Sequence, residues 1–385
     1  MALWLGTACA GAAGLSIILG RRVVLPRPPR TVRIIGIDER QVRLERTAET
    51  THPGTYGLWI DEDDVHLQLG RVHDAETDDG VVTRDILART GGNATSQRGR
   101  FTGHLFHGPG SIGAPVNEVH IPVPGGIAPA WLFPAASDAA GGVWAIHIHG
   151  IRTSRITALR SVPAALEMGL PSLVVSFRGD GDGPTVPRGA SSLGTSEWED
   201  VDAAIAYAVD HGASGVLLFG WSLGGGVALQ LTELSKFRSH IVGLILVAPT
   251  TDWRAIIAAG AQRSGLPAQA GWLATAALSD RVLSKLVGAV EPIDFDRLDW
   301  CSSDRLRVPA LVLHSTGDRD VPFAISQRFA DANPNVQLSE LVSAPHGWEF
   351  NTDPQNFNRT IRAWYESLNL GHRCAQPAPT DTVRN

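Results

Sequence analysis

The chain has 385 residues, 43% of them apolar and 19% charged, with a net charge of −6. That length accommodates a large α/β core with an added module, and the negative balance argues against general nucleic-acid binding. The three cysteines, Cys9, Cys301 and Cys374, form no C-x-x-C pattern, so neither a zinc site nor a disulfide framework is indicated, as suits a reducing compartment.

Residues 2–20 carry no charge, and Arg21, Arg22, Arg27 and Arg30 follow. At ~1.5 Å per residue a helix of that length just spans a ~30 Å hydrocarbon core. The basic n-region of a cleaved signal peptide is absent, and the arginines favour a cytoplasmic body. Residues 1–30 therefore read as a single-pass membrane anchor, an N-terminal apolar helix with a basic linker. Residues 31–116 read as a small β-rich module, because short alternating runs such as Val42-Arg43-Leu44 and Val65–Leu69 are separated by Gly and Asp clusters. Asp61-Glu62-Asp63-Asp64 lacks EF-hand spacing and reads as a solvated turn.

A second domain is expected over 117–370. Val119–Val123 and Ile127–Phe133 flank Pro-Gly-Gly, a hairpin signal. Buried strands are expected at Val143–Ile148, Leu173–Phe177, Gly215–Phe219, Ile241–Val247, Ala310–His314 and Val336–Leu341. Between them, apolar residues recur at helical spacing, as in Trp198, Val201, Ile205 and Ala208. Asp353-Pro354 is a helix start, with Asp353 as cap. Continuous apolar strands alternating with amphipathic helices make a mostly parallel sheet covered on both faces, an α/β class. Residues 250–306 interrupt the alternation with enough apolar content for one to three helices, either a lid over the site or a packed connection. Residues 371–385 read as a disordered tail.

The chemistry centres on Gly220-Trp221-Ser222-Leu223-Gly224, between an apolar strand and a helical pattern. Strand, tight turn and helix make this G-x-S-x-G a nucleophile elbow, with Gly220 and Gly224 leaving room for the turn. A serine hydroxyl needs a histidine to take its proton and a carboxylate to orient that histidine. Asp318 and Asp320 both follow the strand Ala310–His314, and His346 follows the next strand. The backbone N–H of Leu223, next to the nucleophile, suits one half of an oxyanion hole. His147 and His149 have no accompanying carboxylate or cysteine cluster, so no metal is expected, and nothing calls for a cofactor.

Gly220–Gly225, Asp318-Arg319-Asp320-Val321-Pro322 and Ala344-Pro345-His346-Gly347 together resemble the α/β-hydrolase superfamily over about residues 117–370. Within it they resemble serine hydrolases of the peptidase-like, acylglycerol-hydrolase and depalmitoylating branches. In those enzymes the acid is followed by two residues and then Val-Pro, which selects Asp318 over Asp320. By the same resemblance, His149-Gly150-Ile151 is the family's oxyanion loop, with Ile151 N–H as second donor and Gly150 allowing the turn. Phe177–Pro184 resembles the pocket-edge loop, with Arg178 and Trp221 as pocket residues. The resemblance implies a serine hydrolase that cleaves a carboxylic ester or thioester of a small molecule or lipid through Ser222, Asp318 and His346. A peptidase or acyltransferase would use the same residues, and an inactive binding protein on this fold is the non-catalytic alternative. Oligomeric state is left open.

Overall fold

The computed structural model describes residues 14–73, 80–135, 142–302 and 304–368. The first element is a helix, α1, over 14–24. Its Leu19 and Val24 are buried, and Leu15, Ile17, Val23 and Leu25 pack on the same core. Arg21 donates to the Leu286 carbonyl at 3.1 Å. This corrects the expected membrane anchor as far as the described residues reach. Among them, no helix is long and apolar enough to cross a membrane, and most apolar side chains of 15–25 pack on the protein's own core, Ile18 being exposed. Residues 1–13 of the expected anchor and the expected tail 371–385 lie outside the described residues.

Six strands follow: β1 (Val32–Ile37), β2 (Gln41–Glu45), β3 (Tyr56–Ile60), β4 (Val65–His73), β5 (Val81–Thr90) and β6 (Arg98–Thr102). They close into a barrel in the order β1-β2-β5-β4-β3-β6. Alternation explains the closure: Val42 and Leu44, Leu58 and Ile60, and Val65, Leu67 and Leu69 all point to one interior. Arg84 is also fully buried there. Its guanidinium donates to the carbonyls of Thr50 (3.0 Å), His52 (2.9 Å), Gly54 (2.6 Å) and Gly70 (2.7 Å). Burial lowers its pKa to about 10, so it stays charged at neutral pH. The acidic turn after β3 is structural: Asp61 accepts from the amides of Thr95 (2.7 Å) and Ser96 (2.8 Å), and Asp63 pairs with Arg100 at 2.5 Å.

The second unit is an eight-stranded sheet. Its strands are β7 (Asn117–Val123), β8 (Gly126–Phe133), β9 (Val143–Ile148), β10 (Ser172–Val175), β11 (Gly215–Trp221), β12 (Ile241–Val247), β13 (Ala310–Ser315) and β14 (Val336–Leu341). The order is β14-β13-β12-β11-β9-β10-β8-β7, and only β8 runs antiparallel to its neighbours. Strand period splits the core in two. Val216, Leu218, Leu244 and Leu246 face one layer with α3 (Trp198–Asp210) and α4 (Leu223–Leu234). Leu217, Phe219, Ile245 and Val247 face the other, with α2 (Val162–Glu167) and α10 (Pro354–Ser367). Asp353 caps α10 by accepting from the Asn356 amide at 3.0 Å.

Residues 250–306 contain α5 (Trp253–Arg263), α6 (Ala268–Ser279) and α7 (Leu283–Val287). Trp253, Ile257, Leu278 and Val287 belong to the same core as the sheet and α1. The remaining helices, α8 (Phe323–Ala332) and α9 (Glu349–Thr352), follow β13 and β14. The ends of β9, β11, β13 and β14 thus bring four loops to one edge of the sheet, where open α/β sheets place their ligands.

Candidate active site

Ser222 sits between β11 and α4 with φ 52° and ψ −112°. Such strain, of order 1–3 kcal/mol, persists only where the surroundings enforce it. The Ser222 amide is tied to the Val247 carbonyl at 2.9 Å, and the glycines two residues to either side leave room for the turn. A Cβ on Gly220 would stand 2.5 Å from the Gly224 carbonyl oxygen, and one on Gly224 would stand 2.3 Å from that of Ile148. With no side chain at either position, the hydroxyl is held out at the helix start.

Ser222 Oγ lies 2.8 Å from His346 Nε2, and His346 Nδ1 lies 2.6 Å from Asp318 Oδ2. Asp318 is buried in the turn after β13, where its Oδ1 accepts from the amides of Asp320 (2.8 Å) and Val321 (2.9 Å). Those bonds aim Oδ2 at the histidine. Asp320, two residues before Pro322, is exposed instead and pairs with Arg263 at 3.2 Å. Of the two candidate acids, only Asp318 reaches the histidine.

The electrostatics match the geometry. Burial alone would lower the His346 pKa, but the Asp318 carboxylate beside it raises it to about 9. Burial alone would raise Asp318, but His346 and then His314 hold it well below the usual carboxylate range. His314 Nε2 donates to the same Oδ2 at 3.0 Å. Glu349 is buried close by, with neither carboxylate oxygen hydrogen-bonded among the described residues. Burial first, and then the charge of Asp318, pushes its pKa up. His314, Asp318 and Glu349 offer ligand atoms within 4.8 Å of one another. Two imidazoles already occupy Asp318 Oδ2, so the group is built as a hydrogen-bonded cluster.

The loop after β9 brings Gly150 against the serine: a Cβ there would stand 3.4 Å from Ser222 Cβ. The Gly150 carbonyl accepts from Thr153 Oγ1 at 2.8 Å and faces His149 Nδ1 at 2.9 Å. In a trans peptide the N–H points opposite to the carbonyl. Tethering the Gly150 oxygen therefore fixes the direction of the Ile151 N–H. His149 Nε2 is held in turn by Asp180 at 3.0 Å, a residue of the Phe177–Pro184 loop. Leu223 is the first residue of α4, so its N–H has no partner within the helix.

Of the expected pocket residues, Trp221 needs correction, while Arg178 stands at the cavity wall. Trp221 is buried on the opposite side of the sheet, where its Nε1 donates to Ser161 Oγ at 3.2 Å and Arg160 covers its ring. Strand alternation turns it away from the serine edge. Arg178 lines the cavity, but its guanidinium is committed to Asp200 at 2.7 Å and Glu199 at 2.9 Å. His147 faces Ser161 at 2.8 Å and is not joined with His149. The cavity, of about 270 Å³, is walled by Val24, Ile151, Phe177 and Leu223 among others. Arg152 donates to the Leu25 and Arg22 carbonyls at 3.0 and 2.8 Å, which ties the linker after α1 to its rim. This cavity reaches the site through Ile151 and Leu223, while neither Ser222 nor His346 lines it or the larger open depression of about 660 Å³ along α8.

Sequence reasoning passes over His314, Glu349 and Arg152. His314 carries a faint signal, a histidine at a strand end four residues before the acid; the other two carry none.

Residues 121–360 match the alpha/beta hydrolase family. Residues 33–102, the barrel, match a domain of unknown function (DUF8805). No curated protein matches the chain. Among solved structures it is similar to the esterase Pf2001 of Pyrococcus furiosus, at 18% identity and a TM-score of 0.50, over 68% of this chain and 94% of that one. It is also similar to Est1E of Butyrivibrio proteoclasticus, solved with ferulic acid, at 16% identity and a TM-score of 0.49, over 65% of this chain and 98% of that one. The likeness to Pf2001 extends to the fold alone.

Proposed function

Because the chain belongs to the alpha/beta hydrolase family, we propose that it is a serine hydrolase that cleaves small carboxylic esters through an acyl-enzyme on Ser222. The observation that carries this reading is the continuous relay from Ser222 Oγ to His346 at 2.8 Å and from His346 to Asp318 at 2.6 Å.

Ser222 Oγ attacks the ester carbonyl carbon, and its proton passes to His346 Nε2. The carbonyl electron pair moves onto oxygen, where the Leu223 and Ile151 amides receive the charge; one such donor is typically worth ~3–4 kcal/mol of barrier. Collapse expels the alkoxide, which takes the proton from His346 and leaves as the alcohol. Water then gives a proton to His346 and attacks the acyl carbon, and collapse returns that proton to Ser222 and releases the acid. Asp318 stays ionised throughout and holds Nδ1–H, so that Nε2 is the free base. The cavity of about 270 Å³ supports a short acyl group. Thioesters use the same residues and the same steps.

A fluorophosphonate probe tests the reading. Folded wild type should label covalently and Ser222→Ala should not, and hydrolysis of p-nitrophenyl esters should fall as the acyl chain lengthens. A folded wild-type protein that fails to label defeats it.

A further inference from the structure

The turn that carries His346 has a second face, and that face lies in the barrel. Two residues after the histidine, Trp348 enters the barrel core, with its ring centroid 4.4 Å from that of Tyr56 and 5.8 Å from that of Phe101. Asn351, fully buried, donates from Nδ2 to the Thr55 carbonyl at 2.7 Å and the Gly103 carbonyl at 3.0 Å. The Thr55 amide returns a bond to the Asn351 carbonyl at 3.0 Å. His52 Nε2 meets the Ser343 carbonyl at 3.1 Å. The segment 343–351 is therefore held by the barrel both before and after His346.

The fit leaves no slack. A Cβ on Gly103 would stand 2.8 Å from Trp348 and 2.9 Å from Asn351 Oδ1, and one on Gly54 would stand 2.4 Å from the Asn351 carbonyl. A domain that only added stability could pack anywhere on the sheet. This one makes directional hydrogen bonds to the backbone and side chains of a single loop. The base must also hold its place to a fraction of an ångström, because its bonds to Ser222 and Asp318 are both direct.

We propose that the barrel is a positioning domain for the catalytic base, in which Trp348 and Asn351 set His346 against Ser222 and Asp318. The inference rests on the serine-hydrolase reading of those three residues. Neither Trp348 nor Asn351 touches substrate; both act through the loop.

The test uses the full-length chain with Asn351→Ala, Gly103→Ala, Trp348→Ala and Trp348→Phe. For each, kcat and KM on p-nitrophenyl acetate, the rate of fluorophosphonate inactivation and the melting temperature are measured. A misplaced base should lower kcat and the inactivation rate together, on the order of tenfold to a hundredfold, with KM nearly unchanged. Trp348→Phe should recover most of what Trp348→Ala loses. Should Trp348→Ala fail to fold, Gly103→Ala and Trp348→Phe carry the comparison. Folded variants that melt earlier yet keep wild-type kcat and inactivation rate overturn the proposal and leave the barrel a stabilising module. Wild type that does not react with the probe defeats the underlying hydrolase reading instead, so the two failures are distinguishable.

Discussion

His314 and His346 share one oxygen: both meet Oδ2 of Asp318, at 3.0 and 2.6 Å. His314 is oriented for this by Ser326 Oγ, 2.7 Å from its Nδ1. Its removal takes a buried donor from the carboxylate. His314→Ala is expected to cost about 1–3 kcal/mol in urea unfolding. With less competition for Oδ2, the bond to His346 should tighten and the acid limb of kcat/KM move to higher pH. An unchanged unfolding midpoint and an unchanged profile would refute this role.

The pH profile of the wild type has a definite sign. An imidazole can act as a base only when neutral, and Asp318 raises the pKa of His346 above the ordinary 6.5 to about 9. More of it is therefore protonated at neutral pH than in a free imidazole. Activity should rise with pH through the folded-state pKa, so the acid limb of kcat/KM should lie alkaline of 6.5. A limb at or below that value in a rate profile would contradict the charge coupling.

Asp318→Asn keeps the shape of the acid and removes its charge. The amide can present its N–H to His346 and favour the wrong tautomer. A loss of ~10⁴ in kcat is expected with the fold retained. Steady-state kinetics beside a circular dichroism spectrum would decide, and a loss of only a few fold would rule out Asp318 as the orienting acid.

His149→Ala should loosen the peptide that aims Ile151 N–H, since His149 links the Gly150 carbonyl to Asp180. The expected signature is a lower kcat with little change in KM, bounded by the ~10²–10³ that a whole oxyanion donor is worth. Equal kcat in both proteins would release His149 from this task.

Glu349 is buried with neither oxygen bonded among the described residues, and its pKa is raised by burial and by Asp318. Glu349→Gln keeps the shape of the side chain and removes the charge that burial and Asp318 disfavour. Glu349→Gln should keep near wild-type kcat at neutral pH, whereas Glu349→Leu should be more stable by about 1–3 kcal/mol. A Gln variant with a collapsed kcat would show that the charge is needed.

The parts of the molecule legible in sequence are those specified by near neighbours. Val216 to Phe219 reads as a buried strand, and Gly220 and Gly224 mark the turn, because steric demands there act over a few residues. His346 and the pair Asp318 and Asp320 can be picked out because each follows a strand end, while the choice of Asp318 comes only from the resemblance. Closure of the barrel is not legible: alternation in Val42-Arg43-Leu44 says which side is buried, not that β1 pairs with β6. Nor is the place of Trp221, which the motif puts beside the serine and strand alternation sends to the other face. The uncharged run 2–20 reads in sequence as a membrane segment, and only tertiary packing of its described end against Val287 and its neighbours reveals another use for those residues. Trp348 and Asn351 look in sequence like ordinary residues before a helix.

The barrel's plug has a consequence for synthesis. Strands β1 to β6 leave the ribosome first, yet Ala344 and Trp348, which complete their core, follow more than 200 residues later. At about 5–20 residues per second that delay is on the order of 10–50 s. Until then the ring must wait with Tyr56 and Phe101 uncovered, or form only in part. Closing so long a loop adds little to the equilibrium cost but makes the contact a late one. The barrel is thus a receiver begun well before it can be finished, and the last segment it accepts is the one that carries His346.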